Sequence, residues 1–119
     1  MEPKYVIKDD KRKRFFSLSK LWDSVSEVLN VEDSGVSGED VDLVMRKVMD
    51  RIGGEYCVST DRLRKEVACS LMESGHDYGA KVYVGRVVVG LVNRGVSVES
   101  AERYAADCLG DIRDRSGEG

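Results

Sequence analysis

The chain has 119 residues, 41% hydrophobic and 34% charged, with a formal net charge of −3. That length suits one domain able to bury a core without disulfides, and no apolar run approaches the ~20 residues of a membrane-spanning helix. The acidic total argues against a protein that binds nucleic acid over its whole surface.

Met1-Glu2-Pro3-Lys4 lacks the character of a secretory signal, so a cytoplasmic location is expected. Tyr5 to Leu29 then reads as a short basic hairpin running into a first helix. Val6-Ile7-Lys8 and Arg14-Phe15-Phe16 are the expected arms, and Asp9-Asp10-Lys11 is the expected turn. Ser17 suits a helix N-cap, because its hydroxyl can accept from an otherwise unpaired amide. Leu18, Leu21, Trp22, Val25, Val28 and Leu29 follow at helical spacing. Five bases fall in the seven residues from Lys8 to Arg14, and Lys20 sits in the first helical turn, where a carboxylate is the usual choice. The pattern points to a polyanion.

Residues 30–38 read as a polar loop, with Ser37 capping a second helix whose buried stripe is Val41, Val44, Met45, Val48 and Ile52. Gly53-Gly54 ends that helix, and Glu55 to Val58 is a short β-prone link. Ser59 or Thr60 caps a third helix, with Leu63, Val67, Leu71 and Met72 inward and Gly75 as its stop. Residues 77–93 are two-sided: six valines and three glycines favour strand, while a helix buried on most sides tolerates both. Ser97 caps a fifth helix with Ala101, Tyr104, Ala105, Cys108, Leu109 and Ile112 on one face. That stripe needs a cover, from the same domain or from a partner, and the Ser116–Gly119 tail is expected to fray.

In order and spacing, Val6, Lys8, Asp10, Phe16, Ser17, Lys20 and Leu21 resemble the opening of the ATP-cone family. That family is the nucleotide-sensing domain of many ribonucleotide reductases and of the bacterial repressor of their genes. Its usual opening is Val-x-Lys-Arg-Asp-Gly, then Glu-x-Phe-Asp-x-x-Lys-Ile/Leu. Ser59-Thr60, Glu73-Ser74-Gly75-His76 and Ala80-x-x-Tyr83-x-x-Arg86 extend the resemblance to about residue 90. Asp9 stands where the family has Arg, Lys11 where it has the turn Gly, and Arg14 where it has Glu. The first departure removes a phosphate-seeking cation.

The resemblance implies a mainly helical α+β fold. A small antiparallel hairpin or three-stranded sheet caps about four helices, with a helix at residues 77–93. Residues 1–95 form the cone-like domain and residues 96–119 a C-terminal helical extension. It also implies binding of ATP or dATP, with magnesium, by Val6, Ile7, Lys8, Arg12, Lys13, Arg14, Lys20 and Thr60. The output is then allosteric, through a ribonucleotide reductase, another protein or a homo-oligomer.

No catalytic constellation is legible: there is no Gly-x-x-x-x-Gly-Lys-Ser/Thr loop and no Gly-x-Ser-x-Gly elbow. Cys57, Cys69 and Cys108 are far apart and His76 is the only histidine, so zinc is not expected and the thiols read as reduced and largely buried. A binding protein rather than an enzyme is the reading. Two alternatives stand beside it: a degenerate cone serving as a protein-interaction module, and nucleic-acid binding through the basic hairpin.

Overall fold

The computed structural model describes residues 2–32, 35 and 37–116, with side chains as far as Gly110 and excepting that of Glu32. The fold is mainly helical α+β. Its elements are β1 (Tyr5–Ile7), β2 (Lys13–Phe15), α1 (Leu18–Glu32), α2 (Gly38–Ile52), β3 (Cys57–Ser59), α3 (Thr60–Glu73), α4 (Asp77–Asn93) and α5 (Val98–Ser116). The sheet is three-stranded, in the order β2-β1-β3, and mixed: β1 pairs antiparallel with β2 and parallel with β3.

The strand alternation decides what the sheet contributes. Val6 and Val58 face the helices and join the core, while Tyr5, Phe15 and Cys57 share the opposite face. The strands lie one residue earlier than the expected arms, which frees Lys8 and Arg12 to close the turn. The Lys8 N–H donates to the Arg12 carbonyl at 2.8 Å and the Lys11 N–H to the Lys8 carbonyl at 2.9 Å. Phe16 leaves the sheet and packs against the core.

Lys11 takes up a left-handed conformation, with φ of 71°. A Cβ at such a position costs about 1–2 kcal/mol, which glycine avoids at the expense of unfolded-chain entropy. Lys11→Gly is therefore expected to raise the thermal midpoint by a few degrees, as read by circular dichroism. No gain would mean that the turn is already relaxed.

The helices begin and end where their caps dictate. Ser17 accepts from the Lys20 N–H at 3.2 Å, Ser37 and Asp40 form a reciprocal capping box, and Ser97 accepts from the Ser100 N–H. At the third helix Ser59 is the cap, accepting from Arg62 N–H at 3.0 Å. The Thr60 hydroxyl instead donates to the Ile7 carbonyl at 3.1 Å, tying α3 to β1. Both α3 and α4 stop in a Schellman turn: His76 N–H reaches Leu71 O, and Val96 N–H reaches Leu91 O, around left-handed Gly75 and Gly95. His76 begins α4 without a side-chain cap bond.

The main core joins Leu21, Val25, Val28 and Leu29 of α1 to the whole expected stripe of α2 and to Val67 and Leu71 of α3. A second cluster joins Ala68, Cys69, Val84 and Cys108, with Tyr104, Ala105 and Leu109 packed on it. As far as Leu109, the apolar stripe of α5 is thus covered within the same chain, by α3 and α4. Ile112, the loop residues 33, 34 and 36, and residues 117–119 lie outside the described side chains or residues. Cys57 departs from expectation: it is exposed, because its strand turns it to the outer face.

Residues 77–93 are helical, but not for the reason of all-round burial. α4 packs against α1, α3 and α5, yet Gly85 and Val89 are exposed. Nor does Gly85 permit a close approach, since a Cβ there would meet nothing within 4 Å. Gly85→Ala should stabilise the fold by up to about 1 kcal/mol through helix propensity alone, measurable as a shift of the urea midpoint at constant slope. A loss of stability would reveal a hidden constraint at this position.

Candidate functional site

A cleft of about 770 Å³ opens where the hairpin tip meets the ends of three helices. Lys8, Asp9, Asp10 and Arg12 come from the tip, and Thr60 and Arg64 from the first turns of α3. Leu91, Arg94 and Val96 come from the end of α4 and the turn after it, and Ser100 and Tyr104 from α5. Helical spacing explains the set: Thr60 and Arg64, like Ser100 and Tyr104, are four residues apart and so share a face. The Schellman turn places Arg94 and Val96 at the rim.

The electrostatics favour an anion. Four cationic side chains line the cleft against two carboxylates. The start of α3 borders the cleft at Thr60 and the start of α5 at Ser100, two positive helix ends, while α4 brings its negative C-terminal end at Leu91. The two carboxylates are engaged already. Asp9 pairs with Arg64 at 3.1 Å and with Arg94 at 3.4 Å, joining hairpin to α3 and α4. Asp10 accepts from the Arg12 N–H at 3.0 Å and pairs with its guanidinium, and these contacts hold its carboxyl below the usual carboxylate range.

Arg64 is the best anchored of the cations, with its guanidinium carbon 6.0 Å from the centre of the Tyr104 ring. Burial works against its charge, but the Tyr104 hydroxyl and Asp9 beside it outweigh burial and raise its pKa. Burial likewise pushes the Tyr104 phenol well above its usual range, with Asp61 reinforcing the shift and Arg64 opposing it. Neither neighbour reaches hydrogen-bonding geometry, so the buried Tyr104 hydroxyl has no partner among the described residues. Buried polar atoms are rarely left so.

Of the eight residues singled out from the sequence, Lys8, Arg12 and Thr60 line the cleft. Val6 does not, because strand alternation turns it into the core; Ile7 contributes its carbonyl to Thr60. Lys13 and Arg14 are exposed on the edge strand β2, and Lys20 is exposed on α1; none of the three borders the cleft. Arg64, Leu91, Arg94, Val96, Ser100 and Tyr104 were not singled out as site residues. The four-residue step from Thr60 to Arg64 was the available signal for the first of them.

No metal-binding cluster of His, Cys, Asp or Glu occurs among the described residues. No helix among them is long and apolar enough to cross a membrane. Comparisons with protein-family models, curated proteins and solved structures find no match to this chain.

Proposed function

We propose that this chain is a regulatory domain that binds ATP or dATP in the cleft between the hairpin tip and the helix ends. The observation that carries the reading is the convergence of Lys8, Arg12, Arg64 and Arg94 on one cleft that two helix N-termini also face. A cleft of about 770 Å³ suits a nucleotide, since small-molecule sites run at roughly 300–1,000 Å³. Leu91, Val96 and Tyr104 supply an apolar wall for a base. The choice of adenine, and of magnesium as escort, rests on the resemblance of the opening motif to the ATP-cone family.

In this reading the phosphates bind to the cations without being cleaved. Lys8 and Arg12 approach from the hairpin, and Arg64 and Arg94 from the helices, so the ligand draws the two together. The conformational signal passes to a partner protein, a ribonucleotide reductase by the resemblance, or to a second copy of the chain.

Titration calorimetry with ATP, dATP and GTP, each with and without magnesium, tests the proposal. Lys8→Ala and Arg94→Ala should each weaken ATP binding by about 1.5–3 kcal/mol, the worth of a charge-assisted contact. Lys20→Ala should leave it unchanged, because Lys20 stands outside the cleft. Equal loss in Lys20→Ala and Arg94→Ala would move the site away from this cleft.

A further inference from the structure

We infer that the outer face of the three-stranded sheet is a stacking platform for single-stranded nucleic acid, separate from the cleft and independent of the nucleotide reading. Its centre is Tyr5. The Phe15 ring stacks on it with centroids 5.4 Å apart and planes 24° apart, and Tyr56 meets it edge-on, also at 5.4 Å. Phe15 is 75% exposed and Tyr56 62% exposed, so both rings are largely open to water. The ammonium groups of Lys13 and Lys4 lie 4.8 and 5.6 Å from the centre of the Tyr5 ring.

The helices cannot be what these rings are for. Strand alternation gives that side of the sheet to Val6 and Val58, and leaves the aromatic row facing outward. Rings that stack bases, with cations beside them for the phosphates, are how proteins hold single strands without reading sequence. The charge balance fits: Lys4 and Lys13, the cations at the Tyr5 ring, have no carboxylate partner among the described residues, whereas Arg12, Arg64 and Arg94 at the cleft are paired. A protein partner is the weaker fit, since lysine is depleted where aromatic rings anchor protein interfaces. A duplex is weaker still, because its base faces are already stacked.

Fluorescence anisotropy with labelled oligo-dT and oligo-U of about 12 nucleotides tests this, at salt from about 50 to 200 mM. Saturable binding is expected for at least one of the two; which of them binds more tightly tells DNA from RNA. Phe15→Ala and Tyr56→Ala should each weaken it roughly ten-fold, and Phe15→Trp, which keeps a stacking surface, should restore it. Lys13→Gln should reduce the salt slope by about 0.7, the contribution of one single-strand phosphate. Exposed Cys57 sits in the same row as Tyr5, so a bound oligonucleotide should slow its alkylation, while ATP should not. Arg94→Ala should leave all of this intact, which separates failure of the platform from failure of the cleft. Absent binding at tens of micromolar protein, equal affinity for a duplex, or no effect of either aromatic truncation would overturn the inference. So would truncations that alter self-association by light scattering but not oligonucleotide binding, which would assign the face to a second copy of the chain.

Discussion

Asp9→Asn is expected to tighten ATP binding by roughly ten-fold to a hundred-fold, the equivalent of about 1.5–3 kcal/mol. Asp9 holds the two helix-borne cations of the cleft, Arg64 at 3.1 Å and Arg94 at 3.4 Å. Any phosphate entering must break those pairs and then sit beside the displaced carboxylate. Asparagine keeps the size and removes both obstacles. The gain is bounded because Asp9 and Arg94 are partly solvated, and solvent screens such pairs. It should therefore shrink as salt is raised from about 50 to 500 mM, since screening lengths fall over that range. Asp9→Arg, which places there the residue usual in the ATP-cone family that the opening resembles, should go further by adding a fifth cation. Calorimetry on the three proteins under one buffer decides the point. If the wild type gives no heat and Asp9→Asn does, the cleft is a nucleotide site occupied by its own carboxylate. If neither variant binds any adenine nucleotide, the cleft is not a nucleotide site, and the degenerate-cone reading takes its place.

That role of Asp9 also shows where sequence reading succeeded and where it stopped. Caps, stripes and stops were legible because each is a local matter: Ser37 with Asp40, the α2 valines, and Gly75 at its turn all act within a few residues. The opening motif extended this to the sheet, and Lys8, Arg12 and Thr60 do reach one cleft. What could not be read was which distant surfaces the hairpin tip would face. Arg64 and Arg94 lie 55 and 85 positions from Asp9, and nothing in a local pattern announces that pairing. Lys20 illustrates the converse: it lies outside the cleft. A cation in a first helical turn is a real electrostatic anomaly, but the direction in which α1 leaves the sheet keeps it away from the cleft. Val6 and Cys57 show what strand alternation decides: Val6 pairs with Val58 on the core face, whereas Cys57 pairs with Tyr5 on the outer one.

Arg51→Met should destabilise the fold by about 2–3 kcal/mol, whereas Glu66→Leu at the other end of the same pair should cost far less. Glu66 lies only 6% exposed in the interior of α3, with the Arg51 guanidinium at 3.6 Å and Arg62 at 3.8 Å. Arg51 also pairs with Glu73 at the end of α3, locking α2 to α3 at two levels. Removing Arg51 takes the nearer cation from the buried Glu66, leaving it Arg62 at 3.8 Å, and takes the guanidinium from Glu73 as well. Removing Glu66 strands nothing, because Arg51 keeps Glu73 and Arg62 keeps Glu55. The asymmetry follows from the burial of Glu66 together with the partners that each side keeps. The Arg51 side chain is the chief cause of the lowered Glu73 pKa, against a smaller opposing effect of burial. A depressed folded-state pKa contributes stability above the ordinary carboxylate value and loses it as pH falls through the folded one. Wild type and Arg51→Met should therefore converge in stability on acidification below about pH 4, the ordinary Glu range, and stand furthest apart near neutrality. Urea titrations at both pH values, on the two single variants and the double, measure this directly. Equal losses in the two single variants at neutral pH would show that Arg62 alone satisfies Glu66.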